Sequence, residues 1–144
     1  MWEYEHSIDT AATPESIWRL WADVANWGIW NADIEHIEIR GDFTDGTEII
    51  MKPAGDEPVH LRLAEVTENR LFVDEAVIEG LTLRTAHRAE TLADGGTRVT
   101  YRMEITGAGA DVVGPEIGTA VTGDWPDTMA TLIAKALDHA ASTR

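Results

Sequence analysis

Cysteine is absent from the 144 residues, which removes disulfides, thiolate metal sites and thiol nucleophiles together. Serine is confined to Ser7, Ser16 and Ser142, none within a G-x-S-x-G setting, so serine-hydrolase chemistry is not expected. Basic residues are scarce: eleven Lys and Arg stand against twenty-six Asp and Glu, a formal charge of −15. With no basic stripe to interrupt it, such a surface repels phosphate backbones and anionic lipid, so neither nucleic acid nor membrane insertion is expected. No apolar run approaches the roughly 18 residues of a transmembrane helix. The opening Met1-Trp2-Glu3-Tyr4-Glu5-His6 has neither a basic n-region nor an apolar h-region. No signal peptide is therefore expected, and cytoplasmic residence is the default. His6, His36, His60, His87 and His139 are scattered without H-x-H or H-E-x-x-H spacing, so no metal site is expected.

What the chain does have is tryptophan, and four of its six lie between Thr13 and Trp30. Thr13 is suited to cap a helix and Pro14 to its first position, where a missing N–H costs nothing. Ile17, Leu20, Trp21 and Val24 then recur at helical spacing, and Gly28 breaks the pattern between Trp27 and Trp30. Two short helical pieces rich in indole are predicted, acting as a clamp.

Around this clamp the period is two. Trp2, Tyr4, His6 and Ile8 alternate with acidic and polar residues, which predicts a half-buried strand. Further strands are predicted over 36–40, 47–52, 59–67, 71–78, 81–92 and 97–106, separated by Gly, Pro, Asn and Asp signals. After Gly107-Ala108-Gly109 the period becomes helical: Val113, Ile117, Val121, Met129, Leu132, Ile133, Ala136 and Leu137 recur to about His139. Pro126 should kink or split this run, with Asp124 placed to cap a restarted helix. No internal repeat or linker interrupts residues 1–144, so one domain is expected. Strands joined by tight turns, with helices segregated, predict an α+β fold: a seven-stranded curved antiparallel sheet wrapped around a long C-terminal helix, with two short helices after the first strand. A sheet curled round one helix leaves a cavity.

The ordered set Ala12-Thr13-Pro14-Glu15-Ser16-Ile17-Trp18, Asp23-Val24 with Trp27 and Trp30, Gly41 to Gly46, Met51-Lys52-Pro53 and Gly96-Thr97-Arg98-Val99-Thr100 resembles the Bet v 1/START-like helix-grip superfamily (SRPBCC), and most its polyketide cyclase/dehydrase-type branch. The resemblance spans nearly the whole chain. It implies a helix-grip ligand-binding domain that takes a small hydrophobic molecule, aromatic or polyketide-like. Similar domains include carriers, receptors and cyclases, and the branch offers no catalytic motif to carry over. A cyclase of this kind would need no cofactor, in keeping with the absence of any cofactor motif.

His87 shares a strand face with Leu81, Leu83 and Thr85; if that face is concave it could act as general acid or base, and it could equally be a hydrogen-bonded core or rim histidine. A slip of one residue would exchange it with Arg84 and Arg88. Tyr101 could offer its hydroxyl to a ligand or serve as a packed core aromatic. Asp74 and Glu75 point to opposite faces, so at most one sees the cavity, and solvent carboxylates are expected for both. His87 and Tyr101 are thus the candidate catalytic pair. Trp21, Trp30, Met51, Leu83, Thr85, Met103, Val121 and Met129 join them as candidate ligand contacts. Three functions stay open: a carrier of a small hydrophobic molecule, a cofactor-independent cyclase or dehydratase, and a protein-interaction module, the last requiring Trp27 or Trp30 to face solvent. The assembly expected is a monomer or homodimer.

Overall fold

The computed structural model describes residues 1–142, with side chains through residue 138; the side chains of His139 and Ser142 lie outside the described residues. Strand β1 (Trp2–Thr10) leads into helix α1 (Pro14–Ala22), where the Thr13 hydroxyl accepts from the Ser16 N–H at 3.2 Å and Pro14 takes the first helical position. A 3-10 helix (Val24–Ile29) follows, tied back by the Trp27 indole N–H, which donates to the Trp21 carbonyl at 2.8 Å. The predicted clamp is therefore a helix and a tighter turn locked to each other.

Six strands come next: β2 (Ile34–Ile39), β3 (Glu48–Pro53), β4 (Val59–Thr67), β5 (Leu71–Ile78), β6 (Leu81–Thr91) and β7 (Thr97–Thr106). They join β1 in one sheet of order β1-β7-β6-β5-β4-β3-β2, antiparallel throughout. The tightest connection is the two-residue Glu79-Gly80 turn, with φ of 51° and 81°. Positive φ at both positions matches the right-handed twist of the flanking strands and fixes the register Ile78↔Leu81. Register shifts at Ile34/His36 and Leu63/Glu65 bend the sheet further.

The helical run after Gly109 is divided, as Pro126 and Asp124 suggested, into α2 (Ala110–Thr122) and α3 (Trp125–Ser142). Helix α3 buries Trp125, Met129, Leu132, Ile133 and Ala136 inside the grip. Helix α2 corrects the sequence reading. Val113 and Val121, expected to face inward, are 38% and 42% exposed, whereas Ala110, Gly114, Gly118 and Thr122 are buried. The reason is Trp2, which lies against this small-residue face. A Cβ at Gly114 would come 2.8 Å from the Trp2 Cβ, and one at Gly118 would fall within 2.5 Å of ring atoms Cε3 and Cη2. A close aromatic neighbour selects glycine here, and the valines turn outward. Among the described residues no helix is long and apolar enough to cross a membrane.

Candidate functional site

Counting in towards the Glu79-Gly80 turn, the strand register stacks three rows across the concave face. Phe72 pairs with His87 and His87 with Tyr101; Asp74 pairs with Thr85 and Thr85 with Met103; Ala76 pairs with Leu83. All of these residues except Phe72, which lies behind His87, form the floor of a cavity of about 340 Å³. Trp27 and Trp30 wall one side, and Trp125 and Thr128 at the start of α3 wall another. The exposed lining residues Asp33, Asp56, Val121 and Asp124 mark the mouth, between the segments flanking β2, the β3–β4 loop and the α2–α3 junction.

In the first row the His87 ring stacks on Phe72, with centroids 3.9 Å apart and planes 6° from parallel, and meets Tyr101 edge-on at 4.6 Å. Its Nδ1 lies 3.3 Å from the Phe72 carbonyl oxygen. A carbonyl can only accept, so Nδ1 carries the proton and Nε2 remains an acceptor. Burial pushes the imidazole pKa down to about 3, with the Phe72 carbonyl opposing weakly. His87 is thus neutral at physiological pH and a weak base. Burial pushes the Tyr101 phenol well up, against the lowering effect of the Trp21 N–H. That indole N–H donates to the Tyr101 oxygen at 3.2 Å, which leaves the phenolic proton for another acceptor.

Asp74 is the residue sequence reasoning missed. The solvent position expected for it is overturned: it is 7% exposed and lines the cavity beside Thr85. Burial, and secondarily the charge of Glu75, raises its carboxyl to about 7. The signal was available in the turn. With Glu79-Gly80 as a two-residue hairpin, Asp74 must share a face with Thr85 and His87. Glu75 points outward and holds Arg62 at 2.6 Å and Arg84 at 3.1 Å. Arg84 and Arg88 stay on the outer face, so the register exchange weighed for them does not occur.

Of the remaining candidates, Trp30, Met51, Leu83, Thr85, Met103 and Val121 line the cavity together with His87 and Tyr101. Trp21 and Met129 do not. Both are fully buried, Trp21 beneath Phe72, His87 and Tyr101, where it holds the Tyr101 hydroxyl instead of meeting a ligand. Trp125 was overlooked; its ring meets Tyr101 at 5.6 Å and 88°. Trp27 and Trp30 are only 4% and 5% exposed, so the solvent-facing tryptophan that an interaction module requires is missing. Among the described residues the buried Trp30 Nε1 has no hydrogen-bond partner, a costly state for a donor beside a cavity.

A second hollow of about 660 Å³ shares no residue with the first. It lies outside the grip among Pro14, Glu15, Asn69, Arg70, Arg88 and Glu90. Its polar, open walls fit solvent better than a buried ligand, although it is the larger. The inner cavity has the apolar walls and few convergent polar groups of a ligand site.

A family model described as polyketide cyclase / dehydrase and lipid transport matches residues 1–140, and the chain belongs to this family. No curated protein matches the chain in sequence. Among solved structures it is similar to norcoclaurine synthase from Thalictrum flavum, in complex with dopamine and hydroxybenzaldehyde, at 16% identity and a TM-score of 0.76, covering 96% of this chain and 87% of that one. It is also similar to Ara h 8.0201 at 15% identity and a TM-score of 0.74, covering 95% and 98%. A START superfamily protein from Mycobacterium smegmatis matches at 14% identity and a TM-score of 0.72, covering 94% and 97%. Identities this low carry the fold, which is the helix grip expected from the sequence.

Proposed function

We propose that this member of the polyketide cyclase / dehydrase and lipid transport family binds a compact, mostly apolar molecule, aromatic or polyketide-like in character, in the cavity of its grip. One observation carries the reading: a hollow of about 340 Å³ walled by Trp27, Trp30, Trp125, Leu83 and Met103 that retains a mouth. Ligand sites span about 300–1,000 Å³, so a compact ligand suits it better than a long acyl chain. The unpartnered Trp30 Nε1 adds a reason for occupancy, since a ligand acceptor would satisfy it. The relative solved with dopamine and hydroxybenzaldehyde holds molecules of this size class.

A second reading, cofactor-independent proton transfer by a cyclase or dehydratase, is favoured by Asp74, whose carboxyl sits near 7 and faces the same space. In that reading Asp74, not His87, moves the proton. Its pKa lies where acid and base forms coexist, whereas His87 at about 3 is a poor base.

Thermal unfolding against a panel of neutral aromatic, polyketide-like and fatty-acyl compounds tests the binding reading. A ligand present at 100 times its Kd adds about 2.7 kcal/mol of stability. At this chain length that is a Tm rise of several degrees, roughly 2–4 °C per kcal/mol. The expected result is a rise with compact aromatics that Leu83→Trp, which fills the cavity, abolishes. A rise that persists in Leu83→Trp and in the milder Ala76→Leu, or silence across the panel, overturns the reading. Compounds that bind are then followed for turnover. Turnover lost in Asp74→Asn while neutral-ligand binding persists would select the enzyme.

A further inference from the structure

The charges around the cavity are all of one kind. Asp33, Asp56 and Asp124 stand at its mouth and Asp74 on its floor, and among the described residues no Lys or Arg lines it. The mouth carboxylates are close enough for Asp33 to push the Asp124 pKa upward, behind the larger effect of burial. They do not converge as metal ligands, since no group of three acidic or histidine side chains is so arranged among the described residues. Basic side chains on neighbouring strands sit on the outer face, where Arg62 and Arg84 hold Glu75.

Asp74 supplies the second, independent observation. It is more than nine-tenths buried and lines the cavity, and among the described residues its carboxyl has no hydrogen-bond donor and no cation beside it. Buried carboxyls are ordinarily paired or hydrogen-bonded, so one left open towards a cavity lacks a partner that the chain does not provide. The walls bring the rings of Trp27, Trp30 and Trp125, and the floor that of Tyr101, and the faces of such rings attract cations.

We infer that the ligand is a compact organic cation: an amine whose ammonium group pairs with Asp74 and whose apolar body lies against Trp30, Trp125 and Tyr101. The inference rests on the cavity being a binding site and adds the chemical class of its occupant. Acidic groups at the mouth draw a cation inward and repel carboxylates. The groups facing Asp74 leave its charge uncompensated: Thr85 and neutral His87 from β6, Tyr101 and Met103 from β7, Leu63 from β4, Asp124 from the helix junction. Its own neighbour Glu75 is acidic and points outward. An ammonium group is the partner that compensates it.

The test compares phenethylamine, propylbenzene and hydrocinnamate, which share one skeleton and differ in carrying an ammonium, a methyl or a carboxylate. Titration calorimetry is run on wild type and Asp74→Asn. Expected is at least tenfold tighter binding of phenethylamine than propylbenzene in wild type, and no measurable binding of hydrocinnamate. Asp74→Asn removes that preference, so that phenethylamine binds no more tightly than propylbenzene. If Asp74→Asn does not fold, wild-type affinity for phenethylamine must weaken as pH falls from 8 through about 7, while that for propylbenzene holds. Equal binding of amine and hydrocarbon, or tighter binding of the carboxylate, overturns the inference and leaves the cavity reading standing. An amine preference that survives Asp74→Asn, or is independent of pH, marks general attraction to an acidic surface and also overturns it. Binding of none of the three, with silence from the neutral panel, overturns both.

Discussion

Asp74 and His87 are buried in adjacent rows of the sheet, and their titrations oppose each other. Asp74 has a folded pKa of about 7 against roughly 3.9 unfolded. Between those values the native state holds more protons than the unfolded one, so its contribution to stability falls as pH rises from about 4 to 7. His87 has a folded value of about 3 against 6.5 unfolded. There the unfolded state binds the extra proton, so stability falls as pH drops from 6.5 to 3. Over pH 4 to 6.5 the two slopes, each at most about 1.4 kcal/mol per pH unit, cancel. Urea unfolding should therefore find that Asp74→Asn loses stability relative to wild type as pH is lowered through this window. His87→Gln should gain relative to wild type over the same window. Parallel profiles for all three proteins would contradict the burial assigned to both groups. The face of His87 was legible from the alternation Leu81, Leu83, Thr85. Asp74 was not, because Phe72-Val73-Asp74-Glu75-Ala76 has no clean period two and a carboxyl is by habit placed in water. Only the hairpin register overrules that habit.

Helix α2 teaches a related lesson about elements. Its valines carry the hydrophobic signal, yet Val112 is 81% exposed while Gly114 and Gly118 are buried. Hydrophobic period identifies a helix but not which face is inward when a large ring elsewhere in the chain takes up the space. Trp2, far away in sequence, decides it. Gly118→Ala should gain up to about 1 kcal/mol from helix propensity. Against this, overpacking on the Trp2 ring should cost about 1–3 kcal/mol. Since Trp2 is also pinned at its Cβ by Gly114, the cost should win, giving net destabilisation in thermal unfolding; Val112→Ala should change little. A net gain from Gly118→Ala would mean that Trp2 swings aside. Elements with a local signal, such as the Thr13 cap and the alternation of β7, were legible from the start. Trp125 went unnoticed because its role depends on α3 placing it over Tyr101, a contact between distant segments.

At the scale of the molecule, curvature produces the cavity. Seven twisted antiparallel strands, bent further at two register shifts, cannot close on α3 without leaving space, and the space falls where β5 and β6 contribute the polar pair Asp74-Thr85 and β7 adds Met103. The fold class and the succession of strands and helices along the chain follow from patterning, and with them the existence of a hollow. Its chemistry depended on register. The most direct test of occupancy uses the six tryptophans as reporters. In nitrogen–proton correlation spectra of labelled protein, the indole N–H signals are followed during titration with phenethylamine or the tightest compound of the neutral panel. Trp30, whose Nε1 has no partner among the described residues, and Trp125 should shift most. Trp21 and Trp27, held by the Tyr101 hydroxyl and the Trp21 carbonyl, should move less. Shifts centred instead on the backbone of Asn69 and Arg70, at the outer hollow, with the indoles unmoved, would contradict a binding site inside the grip.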